Sequence, residues 1–124
     1  MGRYLLLVGL GGFFGSIGRY LTTLIFSRIW PSQFPFGTFV ANIVGCLLIG
    51  IVYGLAERAG WLTTPWRLLL ATGFCGGYTT FSSFAFENLD LLQAGNYGTF
   101  LGYTLSSLLL GVLAVFAGIV LVKI

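Results

Sequence analysis

From Thr99 to Val122 the chain carries no formally charged side chain, and the segments 4–26, 36–56 and 65–93 are almost as apolar. That pattern decides the class. A helix needs about 20 predominantly apolar residues to cross a bilayer core, so each segment is long enough to span. Four spans joined by three short loops use all 124 residues. Only 7% of the residues are charged, where soluble domains carry roughly a quarter. The mean hydropathy of +0.98 agrees. A water-facing globular surface is excluded. The expectation is an all-α membrane protein, one transmembrane domain over 1–124, with four transmembrane helices in the lipid bilayer.

Charges and turn formers punctuate the spans. Ser27 to Pro35 holds Arg28, Trp30 and two prolines, and reads as an interfacial loop with an aromatic anchor. Glu57 and Arg58 close the second segment. Residues 59–64 form a loop, with Thr64 as a hydroxyl N-cap before Pro65 at the first helical position. Residues 94–98 (AGNYG) form the last turn. The start, Arg3 and then apolar residues, imitates a signal peptide, but the apolar run continues to Phe26 and is too long for one. Leu6 stands where a myristoylation signal has Ser or Thr. The net charge of +3 sits at membrane flanks, so no nucleic-acid partner is expected. Cys46 and Cys75 lie in apolar runs and read as packed thiols, not a disulfide.

The third segment is too long. As unbroken helix its 29 residues would extend about 43 Å, against a hydrocarbon core of roughly 30 Å. Its middle reads Gly73-Phe-Cys-Gly-Gly-Tyr-Thr-Thr-Phe-Ser-Ser-Phe84, a poor helix interior. The expectation is a third helix broken in mid-membrane near 75–80, its freed backbone groups lining a cavity or coordinating an ion. Elsewhere, small residues recur at every fourth position (Gly37, Ala41, Gly45; Gly11, Gly15; Gly50, Gly54) and predict close helix packing.

Each polar residue inside a span needs a partner or a function. Asn42 lies in a hydrophobic run, with Thr38 one turn earlier on the same face. These two read either as helix-to-helix hydrogen bonding or as pore lining. Tyr103, Ser107 and Gly111 fall at intervals of four, while Ser106 is expected to bond back to its own helix. Phe81 and Phe84 share a face beside Ser82 and Ser83, and their positive ring edges suit a small anion. Arg19, close enough to the loop end to snorkel, and Glu87, in the last turns of the third segment, read either as interfacial residues or as vestibule lining. Together these residues sketch a path for a small anion, with neutral donors replacing its water and weak sites permitting exit. No histidine, mid-membrane acid pair or metal-ligand cluster is present, so no enzyme is expected. Four helices are thin for enclosing a pore, which implies an oligomer. Arg3, Arg58, Arg67 and Lys123 fall on one side, with Arg28 and Arg19 on the other, a bias weak enough to permit both insertion orientations.

Three stretches, Gly11-Gly-Phe-Phe-Gly-Ser-Ile-Gly-Arg-Tyr20, Gly37-Thr-Phe-Val-Ala-Asn-Ile-Val-Gly45 and Gly73 to Phe84, resemble the Fluc/CrcB fluoride channels over essentially the whole chain. The resemblance implies an antiparallel, dual-topology homodimer in the bacterial inner membrane, with two pores for passive fluoride export. By that likeness Asn42, Phe81 and Phe84 line the fluoride path, and Ser82, Ser83, Tyr103 and Ser107 extend it as a polar track with Thr38 nearby. Arg19 and Glu87 fall at vestibules. The backbone carbonyls of Gly76 and Thr79, from both subunits, are implied to hold a structural Na+. Some relatives have a serine where this chain has Gly111, which leaves the polar track shorter or completed by water. Two other readings compete. A four-helix proton-coupled multidrug exporter needs an embedded acid in its first span, and 4–26 has none. A non-transporting assembly subunit would use its glycines for packing alone.

Overall fold

The computed structural model describes residues 1–58 and 62–123, all helix, turn or short connection. Helix α1 covers Gly2–Ile29 and α2 covers Phe36–Arg58. Helix α3 occupies 64–78 in three continuous parts: an α-helical turn Thr64–Arg67, a π-helical stretch Leu68–Cys75 and a last turn Gly76–Tyr78. Thr79 and Thr80 are extended, after which α4 runs over Phe81–Gln93 and α5 over Tyr97–Lys123. Three helices, α1, α2 and α5, are each long and apolar enough to cross a membrane.

The helices run past the apolar segments because their ends find partners. Ser27 donates its hydroxyl to the Leu24 carbonyl and Trp30 its amide to Phe26, which carries α1 beyond residue 26 to Ile29. Helix α3 starts one residue earlier than expected. Thr63 takes the N-cap position without a side-chain cap, and Thr64 instead accepts a bond from the Arg67 guanidinium. The loop expected over 59–64 lies partly outside the described residues; Leu62, within it, is buried with Val52 and Ala71. The turn between α4 and α5 pivots on Gly95, whose φ of +79° suits a residue without Cβ.

Small residues set how the helices meet. The most extensive pairing joins α2 to α5. There a Cβ on Gly50 would strike the Val115 backbone, and one on Gly118 would strike that of Leu47. Helix α1 lies along α3 in the same way, with Gly11 and Gly15 against the backbone of Leu69, Gly73 and Phe74. Lipid tails give no hydrophobic drive for helix association, so backbone approach of this kind carries the packing. At one end of the bundle Lys123 lies 3.9 Å from Glu57 and Arg58 donates to the Val122 carbonyl, which puts these charges on one side. Away from the glycine faces most large apolar side chains of α1 and α5 are exposed.

Gly50→Val forces two backbones apart and is expected to cost about 1–3 kcal/mol. Thermal unfolding in detergent measures it. Gly102→Ala meets nothing within 4 Å and should stay within about 0.5 kcal/mol of the parent.

Candidate ion pathway

The site is built around the two extended residues between α3 and α4. In a continuous helix the Thr80 amide would bond the Gly76 carbonyl and the Ser83 amide that of Thr79. Both go elsewhere. Thr80 N–H donates to Asn42 Oδ1 at 2.7 Å, and Ser83 N–H to the Thr80 hydroxyl at 3.1 Å. Asn42 also donates its Nδ2 to the Thr80 carbonyl at 3.1 Å, so one amide side chain on α2 satisfies both backbone groups of one residue. Thr80 is thereby the N-cap of α4. The Thr79 side chain turns back, its hydroxyl donating to the Cys75 carbonyl at 2.8 Å.

The carbonyls of Gly76 and Thr79 therefore lose the amides that a helix would give them, while both residues line an adjacent cavity. Carbonyl oxygens released in this way are hard donors that suit a hard cation. The nearby Gly77 carbonyl is already taken by Arg19 Nε at 3.1 Å.

The remaining candidates fall around two cavities. The first, about 320 Å³, gathers Asn42, Phe81, Phe84 and Ser107 with Gly76 and Thr79. The second, about 330 Å³, gathers Arg19, Thr38, Ser83 and Glu87. Thr80 lines both. Between them sits Tyr103, wholly buried, with its ring 5.0 Å from that of Phe84 and its hydroxyl donating to Glu87 Oε1 at 2.8 Å. Thr38 donates to the other Glu87 oxygen at 2.7 Å. Glu87 is thus a node for α2, α4 and α5, and it lines the second cavity together with Arg19.

Phe81 and Phe84 stand 6.0 Å apart at 45°, on one face of α4 as their spacing requires. Phe81 is 79% exposed and directs its ring outside the single chain. Ser107 keeps its hydroxyl buried without a hydrogen-bond partner, at the wall of the first cavity. Ser106 bonds back to Gly102 and Tyr103 in its own helix, as expected. Ser82 lines neither cavity; it is exposed, with its hydroxyl 3.3 Å from that of Thr80. A Cβ on Gly111 would come 3.5 Å from Cys46 Sγ, so the glycine leaves room for the thiol.

Two participants escaped the sequence reading. Thr80 is the junction of the site; a Thr directly before the first residue of an apolar helical run is an N-cap signal that would have found it. Phe34, in the loop between α1 and α2, packs edge-on against Tyr103 at 5.3 Å and meets Phe36 at 4.7 Å. Through it a line of rings runs from Trp30 by Phe36, Phe34, Tyr103 and Phe84 to Phe81. No local pattern in the sequence announces that line.

Known proteins resemble this chain over nearly its full length. The family described as CrcB-like protein, Camphor Resistance (CrcB), matches residues 6–119. The fluoride-specific ion channel FluC of Azobacteroides pseudotrichonymphae is 45% identical over 121 residues, covering 98% of this chain and 97% of its own. The protein of the same name from Phocaeicola vulgatus is 48% identical, with 94% and 96% covered. That from Bacteroides fragilis is 49% identical, with 94% and 93% covered.

Asn42→Leu leaves the Thr80 amide and carbonyl without their partners in an apolar bundle. It should destabilise the chain by about 1–3 kcal/mol. Amide hydrogen exchange at Thr80, accelerated above the parent rate, would report the loss at that site; an unchanged rate would show that the clamp is dispensable.

Proposed function

The chain belongs to the CrcB family, and on that premise we propose that it is a fluoride-specific ion channel of the bacterial inner membrane. It is a multi-pass membrane protein and not an enzyme. The observation that carries the reading is kinship over nearly the full length with channels named for fluoride. The geometry supplies the means. An anion entering this bundle must exchange its water for protein donors, and what surrounds the break is neutral: the Asn42 amide, the Ser107 hydroxyl and the ring edges of Phe81 and Phe84. Neutral donors attract an anion without trapping it. Arg19 and Glu87, opposite charges lining the second cavity, offset one another at the approach.

We read the functional unit as an antiparallel homodimer with two pores, in which α3 and α4 meet at mid-membrane. Two features support this. The Phe81 ring at the edge of the cavity is left largely uncovered by its own chain, and the cavity at the break opens outward and is not closed within one chain. An inverted second copy would close it, as inverted repeats do within longer transporters. The carbonyls of Gly76 and Thr79, offered by both copies, would hold a structural Na+ at the centre. When bound, the ion supplies positive charge that offsets the carbonyl dipoles. Desalted dimer is expected to retain one sodium per two chains by elemental analysis, and its absence would remove the ion from this account.

The channel itself is tested by efflux from liposomes holding the purified protein. Fluoride should leave rapidly while chloride stays, and well-folded protein that passes no fluoride would end the proposal. Phe81→Ile removes ring edges at little change in volume. It should keep the dimer and cut fluoride flux by about tenfold, the equivalent of about 1.4 kcal/mol. Unchanged flux would remove the aromatic edges from the pathway.

A further inference from the structure

We propose that Cys46 and Cys75 form a paired-thiol site for a soft, two-coordinate cation of the mercury(II), silver(I) and copper(I) class. Both thiols are free, and both line the first cavity, one from α2 and the other from the end of the π-helical stretch of α3. The pathway described above uses neither.

Local packing brings their two helices together beside this cavity. On α2 a Cβ at Gly45 would strike the Thr79 methyl group, so nothing stands between α2 and α3 one residue before Cys46. Thr79 lies one turn beyond Cys75 and is bonded to its carbonyl. From the other side Gly111 presents only hydrogen toward Cys46, where a Cβ would come 3.5 Å from Sγ. Both thiols therefore border the cavity, Cys46 half-buried and Cys75 buried.

The donor set selects the ion. No group of three or more His, Cys, Asp or Glu side chains suited to a metal occurs among the described residues, which leaves four-coordinate Zn2+ without its ligands. Two sulfurs suit cations that are satisfied by two soft donors, and the amide and hydroxyl oxygens nearby are too hard to compete. With mercuric chloride the step balances without oxidation or reduction. Two Hg–S bonds form, two Hg–Cl and two S–H bonds break, and two chlorides and two protons leave. An ion held there lies in the same cavity as Ser107 and Phe81 and obstructs the anion path. That last consequence rests on the fluoride-channel reading; the binding site does not.

The test adds mercuric chloride to the reconstituted protein, washes with glutathione, and measures retained mercury, free thiols and fluoride efflux. One mercury per chain is expected, with both thiols lost together and efflux strongly reduced. C46S and C75S, with C46A and C75A should either serine variant fold poorly, are each expected to hold mercury about a hundredfold more weakly, since the second thiol acts at high effective concentration. Their fluoride flux should resist mercury. Two mercuries per chain, none at all, or equal retention by a single-cysteine variant would overturn the site. Mercury bound by both thiols with undiminished efflux would overturn the obstruction. Mercury so bound in a protein that never conducts fluoride would uphold the site and sink the channel reading instead.

Discussion

Two residues of backbone, Thr79 and Thr80, leave the helix inside a bundle that offers almost no water, and everything around them answers the polar groups thus exposed. A peptide group without a partner in an apolar medium costs several kcal/mol. Asn42 meets the cost at Thr80 with two bonds from a single side chain. Those bonds fix the height of α2 against the break and the direction in which α4 departs. With that direction fixed, Phe81 and Phe84 face the cavity that Asn42 itself lines.

Close packing makes so short a reach possible. Asparagine spans only a few ångströms, so α2 must approach the break closely, and Gly45 against Thr79 removes the side chain that would hold it off. The same helix carries Gly50 on its contact with α5, whose Tyr103 reaches across to bond Glu87 of α4. Thr38 closes that node from α2. Helix α2 is thus the common partner of both halves of the polar interior.

Much of this was legible in the residues. Helix number and approximate limits followed from where charges and turn formers interrupt apolar runs, because those signals are local. The excess length of the third segment and its glycine-rich middle marked where regular helix would fail. The glycine repeats named the contact faces of α1 and α2, while Gly118, which meets α2 from α5, belonged to no repeat. What stayed hidden depends on partners distant in sequence. Whether Asn42 was structural or pore-lining could not be decided on α2 alone, and in the fold it bonds the break and lines a cavity at once. Tyr103 read as a member of the polar track and Thr38 as its neighbour, whereas both spend their hydroxyls on Glu87, 16 and 49 residues away. Phe34 looked like one more loop aromatic until its ring met Tyr103.

The π-helical stretch of α3 has a bearing on how sequences of this kind can change in length. A π-helical segment is in effect an α-helix that has taken in one extra residue. Loss of a residue from 68–75 can be absorbed by return to ordinary α-helix, with both flanking turns kept in place. The same loss in α2 or α5 would rotate everything beyond it by about 100° and turn the glycine faces away from one another. Single-residue deletions should therefore be tolerated within 68–75 of α3 and not within the packed stretches of α2 and α5.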